Sequence, residues 1–407
     1  MARGTNPASD VGSPHPIMKK TRREFLSTAT ALASAFPAFS TAAVSPVAGV
    51  ALAPPDEQPE NLKVEEAPAR TLGWAIVGLG ELALEEIMPA FASCRLSKPV
   101  ALVSGHPDKA AKIAKAHDIA PDAIYNYDNF DNIAGDKRID VVYIVLPNSM
   151  HAEFTIRALK AGKHVLCEKP MAVSVAEGES MRDAATATRL KLSIAYRLHH
   201  EPLNRQVMEW CKERKFGKIR SINSSNCQNV KAPNIRLSSK LGGGPVGDVG
   251  VYSINAARYI TGEEPYEVMA TAFQPDDDPR FREVPETVAF LLRYPSGIIA
   301  TCDCSFGTTE SRRYRVLCER GFLEMDPAFS YRGLKLRTKE DLAEESSGLE
   351  EVNLRQVDHF AAEMDAFSKA VIEDGEVITP ASMGIADLKI IAAIHESVKT
   401  GAVVKIS

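Results

Sequence analysis

The chain has 407 residues, 45% of them apolar and 25% charged, with a formal net charge of −5. That is material for about two or three domains with a substantial core. Residues 1–43 hold five basic and two acidic side chains, which leaves the rest at −8 and argues against a nucleic-acid partner.

The N-terminus carries the twin arginines Arg22-Arg23 within Thr21-Arg22-Arg23-Glu24-Phe25-Leu26. An apolar stretch follows at 25–39, interrupted by Ser27, Thr28, Thr30, Ser34 and Pro37. It is too short and too broken to span a bilayer, and it has the form of a signal h-region. The small residues Ser40-Thr41-Ala42-Ala43 then offer a cleavage site, and the basic run from Met18 makes that methionine the expected functional start. Residues 1–43 are therefore expected to be a twin-arginine signal that sends a folded protein to the periplasm, with no membrane anchor. Residues 44–70, rich in Pro, Ala and Glu and without helical or strand period, read as an extended arm held on a surface.

At residue 71 the pattern changes. Short apolar runs at 72–77, 100–103, 141–146, 164–167 and 192–196 alternate with helical spacing at 82–92, 108–117, 152–161 and 175–188. Strands alternating with helices predict a doubly wound parallel sheet of the Rossmann type over 71–196. After a helix at 202–212, strand patterns come in succession at 219–226, 267–274, 287–293, 298–305, 313–319 and 321–325, and two amphipathic helices follow at 359–373 and 383–400. Residues 197–407 are thus expected to form a domain on a largely antiparallel sheet, closed by helices. The seven cysteines, Cys94, Cys167, Cys211, Cys227, Cys302, Cys304 and Cys318, show no Cys-x-x-Cys spacing. A metal centre has no support there, and an odd, unpatterned set favours free buried thiols.

Gly78-Leu79-Gly80-Glu81-Leu82-Ala83 follows the first strand and opens a helix, the context a dinucleotide fingerprint requires. The helix N-terminus supplies free N–H groups to a pyrophosphate. After the second strand, where a carboxylate would select NAD, stand Ser104-Gly105-His106-Pro107-Asp108-Lys109. Ser104 and Lys109 suit a 2′-phosphate, so NADP is the expected cofactor.

Three further motifs belong together. Leu146-Pro147-Asn148-Ser149-x-His151 and Glu168-Lys169-Pro170 close two sheet strands, and Gly242-Gly243-Gly244-x-x-Gly247-Asp248-x-Gly250-x-Tyr252 lies in the second domain. Asp248 and Tyr252, four apart, share one face if helical. With these motifs the chain, from about 71 to 407, resembles the Gfo/Idh/MocA family of sugar and polyol oxidoreductases. The resemblance implies Lys169, Asp248 and Tyr252 as catalytic residues, with Tyr252 in the place of a histidine as in the glucose–fructose branch. It also implies a proline after Lys169 that is often cis. Cofactor contacts are implied at Ser104, Lys109, Tyr127, Glu168, Lys169, Arg197 and Tyr331, beside Gly78, Leu79, Gly80, Glu81, Leu82, Pro147, Asn148 and His151. It further implies small-molecule sugars as partners and a homo-oligomer, dimer or tetramer. One position departs from the pattern: Ile235 stands where close relatives place a tryptophan before an Arg-Leu pair. On chemical grounds, a phenol beside an ammonium and a positive nicotinamide suits a general base for oxidation and acid for reduction. His199 and His200 either line the sugar pocket or are structural. The expected activity is oxidation of an aldose to its lactone, then reduction of a second sugar on the same retained cofactor. The rival readings are an aldose dehydrogenase with exchangeable NADP and a non-catalytic sugar-binding module.

Overall fold

The computed structural model describes residues 68–340 and 348–406; the expected export signal and nearly all of the arm lie outside the described residues. The first sheet is built from β1 (Leu72–Val77), β2 (Ser97–Val103), β3 (Ile124–Tyr125), β4 (Val141–Ile144), β5 (His164–Glu168) and β6 (Leu192–Ala195). All its pairings are parallel, in the order β3-β2-β1-β4-β5-β6. The helices α1 (Pro107–Ala116), α2 (His151–Lys160) and α3 (Val175–Thr188) connect its strands. Every residue of β1 and β4 is buried, which is why they read as unbroken apolar runs. Strand order reverses between β1 and β4, so the loops after these strands flank the crevice where such sheets bind ligands.

The segment after the glycine loop differs from the regular helix expected at 82–92. It is a π-helical turn, Ala83–Ile87, running into Met88–Ala90. The two-residue β3 was not anticipated, because its length comes from pairing with β2 rather than from any pattern of its own.

After α4 (Pro202–Lys212) the chain forms β7 (Ile219–Asn229), the helix α5 (Val251–Thr261), β8 (Glu267–Phe273), β9 (Thr287–Arg293), β10 (Ile299–Ser305), β11 (Gly307–Cys318), β12 (Gly321–Met325), β13 (Leu336–Glu340) and β14 (Glu350–Val352). The helices α6 (His359–Ile372) and α7 (Ala381–Thr400) follow, and β15 (Val404–Lys405) ends the second sheet. Its nine strands run in the order β14-β13-β12-β11-β7-β10-β9-β8-β15, antiparallel except for β7 with β10. β11 starts earlier than the expected 313, and β13 to β15 are additions whose charged residues hid them.

α5 lies on the covered face of this sheet. Ser253 shares a 2.7 Å hydrogen bond with Ser224 of β7, and Asn226 donates to the carbonyl of Val249 at 3.0 Å. The closing helices also grip the first sheet. Trp74 of β1 donates to Ser368 of α6 (3.1 Å), and Asp365 of α6 accepts from Leu96 N and Ser97 Oγ (both 2.9 Å). On α7, buried Asp387 accepts from Tyr196 (2.6 Å), Asn255 (3.1 Å) and Arg258 (2.6 Å), which ties the end of β6 to α5. The described cysteines are free thiols, five of them buried. Among the described residues no helix is long and apolar enough to cross a membrane.

Candidate active site

The glycine loop is shaped by contact with its neighbour strand. Gly78 has φ +95°, and a Cβ there would overlap the carbonyl oxygen of Val145, so only glycine fits. Two residues on, a Cβ at Gly80 would meet nothing within 4 Å, which leaves the backbone open to a ligand from that side. Leu79 is buried, while Glu81 and Leu82 start the π-turn. At the end of β2, the buried Ser104 hydroxyl accepts from His106 N (3.1 Å). The Lys109 ammonium reaches back to the carbonyl of Leu79, so its charge stands over the loop. Tyr127 packs edge-on to Phe154 and beside Gly105. A loop that admits close backbone approach, followed by a hydroxyl and an ammonium, fits a nicotinamide dinucleotide.

Lys169 follows β5 in the Glu168-Lys169-Pro170 turn, whose Lys169–Pro170 peptide is cis. Its ammonium donates to the carbonyl of Asp248 (2.7 Å), lies 3.5 Å from Asp248 Oδ1 and stands 4.6 Å above the centre of the Tyr252 ring. Burial works against this charge, but Tyr252, Asp248 and Glu168 outweigh it and hold the lysine above its usual range. Asp248 sits in a π-turn, Val246–Gly250, that feeds directly into α5 and Tyr252. Burial alone would raise the Asp248 carboxyl; Arg236 and Lys169 overcome it and keep the group below the ordinary carboxylate value. The structure therefore brings Lys169, Asp248 and Tyr252 to one point at the C-terminal end of the first sheet.

The wall behind them is built from the other buried groups. Glu168 accepts from the Tyr143 hydroxyl (2.8 Å) and from Lys169 N (3.2 Å). Arg197 donates to the carbonyls of Phe329 (2.6 Å) and Ser330 (3.2 Å) and to His359 Nδ1 (3.0 Å), with its guanidinium 5.3 Å from the Tyr252 ring centre and 4.7 Å from that of Tyr331. Burial, with Tyr252 next, pushes Tyr331 up to about 12, so this second phenol stays a neutral donor. Asn148, just after Pro147, donates to the carbonyl of Gly242 (2.8 Å) and joins the two domains' loops.

Two histidines find their partners within the fold. His151 is fully buried, with its ring nitrogens on the carbonyls of Pro170 (2.8 Å) and Leu146 (2.9 Å). It ties the loops after β4 and β5 together and presents no face to a cofactor. His199 is spent on Asn255 (2.8 Å) between two aromatic rings, a structural role. Sequence reasoning also passed over Arg236, the residue after Ile235, whose Nε donates to Asp248 Oδ2 at 2.6 Å. The Arg-Leu pair was visible, but the loop that turns it back onto Asp248 was not. Ile235 itself is 49% exposed. A hollow lined by Glu86, Tyr331, Arg332, Gln356, His359 and Phe360 lies on the other side of Tyr331 and includes none of Lys169, Asp248 or Tyr252.

A reversing parallel sheet, a glycine loop with room for a pyrophosphate, and a lysine–aspartate–tyrosine cluster beside it define a nicotinamide-nucleotide oxidoreductase. Family comparison agrees in both halves: residues 72–196 match the oxidoreductase family model with an NAD-binding Rossmann fold, and residues 204–324 match the GFO/IDH/MocA C-terminal domain. The chain belongs to the Gfo/Idh/MocA oxidoreductase family. Among similar solved structures is an aldose–aldose oxidoreductase from Caulobacter crescentus, 37% identical with a TM-score of 0.79, covering 83% of this chain and all of that one. A 3-ketoreductase from Actinomadura kijaniata, solved with NADP, is 25% identical with a TM-score of 0.72, over 81% of this chain and 98% of its own. A D-xylose 1-dehydrogenase (NADP+) from Haloferax volcanii is 31% identical over 339 residues, 82% of this chain and 99% of the relative.

Proposed function

We propose that the protein is a periplasmic, NADP-dependent sugar oxidoreductase that keeps its cofactor. It oxidises an aldose such as glucose to its lactone and then reduces a second sugar, fructose to sorbitol or another aldose. This is the reaction type of glucose–fructose oxidoreductase. The observation that carries the reading is the meeting of Lys169, Asp248 and Tyr252 beside the glycine loop. The similarity to an aldose–aldose oxidoreductase supports it, whereas Ile235, where close relatives place a tryptophan, weighs toward a second aldose rather than fructose as acceptor.

When bound, the nicotinamide supplies the acceptor and donor of hydride. Tyr252 takes the proton of the sugar hydroxyl in oxidation and returns it in reduction, a role worth about 10²–10⁴-fold in rate. Lys169 has donors left over after Asp248 and holds the reacting oxygen. Asp248, kept anionic by Arg236 and Lys169, accepts hydrogen bonds from neighbouring sugar hydroxyls. Ser104 and Lys109 hold the 2′-phosphate, and the glycine loop holds the pyrophosphate.

Retention of the cofactor follows from the export signal: a protein that folds before transport leaves the reduced cofactor pool behind. The purified protein should convert an aldose and a second sugar to lactone and polyol in equal amounts with no NADP added. Activity that requires added NADP and scales with it would instead make the protein an exchanging dehydrogenase, the reading favoured by the xylose dehydrogenase relatives.

A further inference from the structure

α6 carries an acid where a core residue belongs. Glu363, one turn after His359, is 2% exposed, and neither of its carboxyl oxygens has a hydrogen-bond partner. The groups around it come from four elements. Tyr143 of β4 and Glu168 of β5 lie close enough for their charges to act on it, as does Arg197. Ser193 of β6 and His200 line the same small hollow. His359 stands on its own helix.

Of these, the one cation is Arg197, because burial pushes both His200 and His359 down to about 3. Arg197 does not pair with Glu363. Its two terminal nitrogens are spent on the carbonyls of Phe329 and Ser330, on His359 and, at 3.5 Å, on the Tyr252 hydroxyl, and its Nε is buried without a partner. A planar guanidinium cannot turn its fork toward Glu363 without giving those bonds up. Glu168, in contrast, has two donors and the neighbouring Lys169. Two carboxyls in one buried wall do not both ionise when only one is solvated by donors. Burial raises both carboxyls, but Glu168 has the donors and the cation that Glu363 lacks, so Glu363 is the one held as the acid.

We infer that Glu363 is a positioning residue whose neutral carboxyl leaves the charge of Arg197 free to act on the Tyr252 hydroxyl. Arg197 donates to that hydroxyl at 3.5 Å, and the Lys169 ammonium stands over the same ring. With Glu363 neutral, the charge of Arg197 is directed at the reacting oxygen. With Glu363 ionised, that charge is shared with a second buried carboxylate. The inference rests on the reading of Tyr252 as the acid–base group.

The test is Glu363→Gln, close to isosteric and permanently neutral, in the holoenzyme. Infrared difference spectra between wild type and variant should show a protonated carboxylic acid at neutral pH that the variant lacks. Reduction of bound cofactor by glucose, read by absorbance in a single turnover, should then fall in wild type to a plateau about tenfold lower on the alkaline side, the effect of about one pKa unit at the reacting oxygen. The Gln variant should keep its rate through that range. A merely structural carboxyl would leave the two profiles parallel. An absent carboxylic-acid band, or an alkaline fall that persists in Glu363→Gln, overturns the inference. If glucose reduces cofactor in neither protein, the proposed activity fails, while the infrared band still decides the state of Glu363.

Discussion

Every residue of β1 and β4 is buried, whereas β9 and β10 alternate between covered and exposed positions. The first sheet is packed on both faces, so the loops at its C-terminal edge inherit the rigidity of the core. The second sheet is loaded on one face only, and that face carries α5 with the π-turn of Asp248 and then Tyr252. The two regions therefore fail in different ways. A change in the cofactor cradle is a change in how strands pack, while a change on α5 alters chemistry on a surface already held in place. The outward side of the second sheet, with Met269 and Phe273 54% and 59% exposed, carries neither burden.

Tyr252→Phe is the sharpest break on the α5 side. It deletes one hydroxyl and keeps the ring under Lys169 and against Phe329. Turnover should fall by about 10²–10⁴-fold, with thermal stability and cofactor content close to wild type. A variant with near-normal rates would move the proton transfer to Lys169 or a water.

The cradle side is broken by two neighbouring glycines with opposite expected outcomes. At Gly78 an added methyl meets the Val145 carbonyl in a left-handed backbone, so Gly78→Ala should cost roughly 1–3 kcal/mol for each of the two effects and lower the melting temperature with it. At Gly80 the same methyl meets no protein atom. Gly80→Ala should leave stability within about 0.5 kcal/mol and reduce cofactor affinity alone. Calorimetry on cofactor-stripped protein, paired with a binding titration, separates the two. Equal stability losses would mean that the loop is held by something other than the contact between the β1 and β4 loops.

The same contrast governs what could be read from the sequence. Fully buried parallel strands are continuous apolar words, so β1, β4, β5 and β6 were legible, and the motif that follows each strand fell at its correct end. The second sheet was legible where alternation is strict, as in β9, and lost where a strand is charged: in β13 (Leu336–Glu340) only Leu336 and Thr338 are buried. Side chains placed by long-range folding were the least visible. Arg236 reaches Asp248 only because a loop of short turns and glycines returns the chain, and nothing local announces it. His151 stood in a motif at a strand end and was read as a ligand contact; its two carbonyl partners belong to loops 5 and 19 residues away. Glu363 did leave a signal, a carboxylate on the buried stripe with Phe360, Met364 and Phe367, but a stripe tolerates one polar residue often enough that the pattern alone assigns it no task.

The smallest expected effect sharpens the cradle itself. Lys109, in the first turn of α1, places its ammonium on the carbonyl of Leu79, and beside it the Ser104 hydroxyl is held by His106 N. A lysine there is a flexible point charge, suited to a dianionic phosphate and of little use to a neutral ribose hydroxyl. Lys109→Ala should therefore weaken NADP by about 10- to 150-fold, the value of one charge-assisted contact of about 1.5–3 kcal/mol, and leave NAD nearly unchanged. The comparison with NAD matters because Lys109 also pins the glycine loop through Leu79. If that pin were its main task, both cofactors would lose affinity together. A common loss would assign Lys109 to the loop and leave phosphate recognition to Ser104 and the backbone.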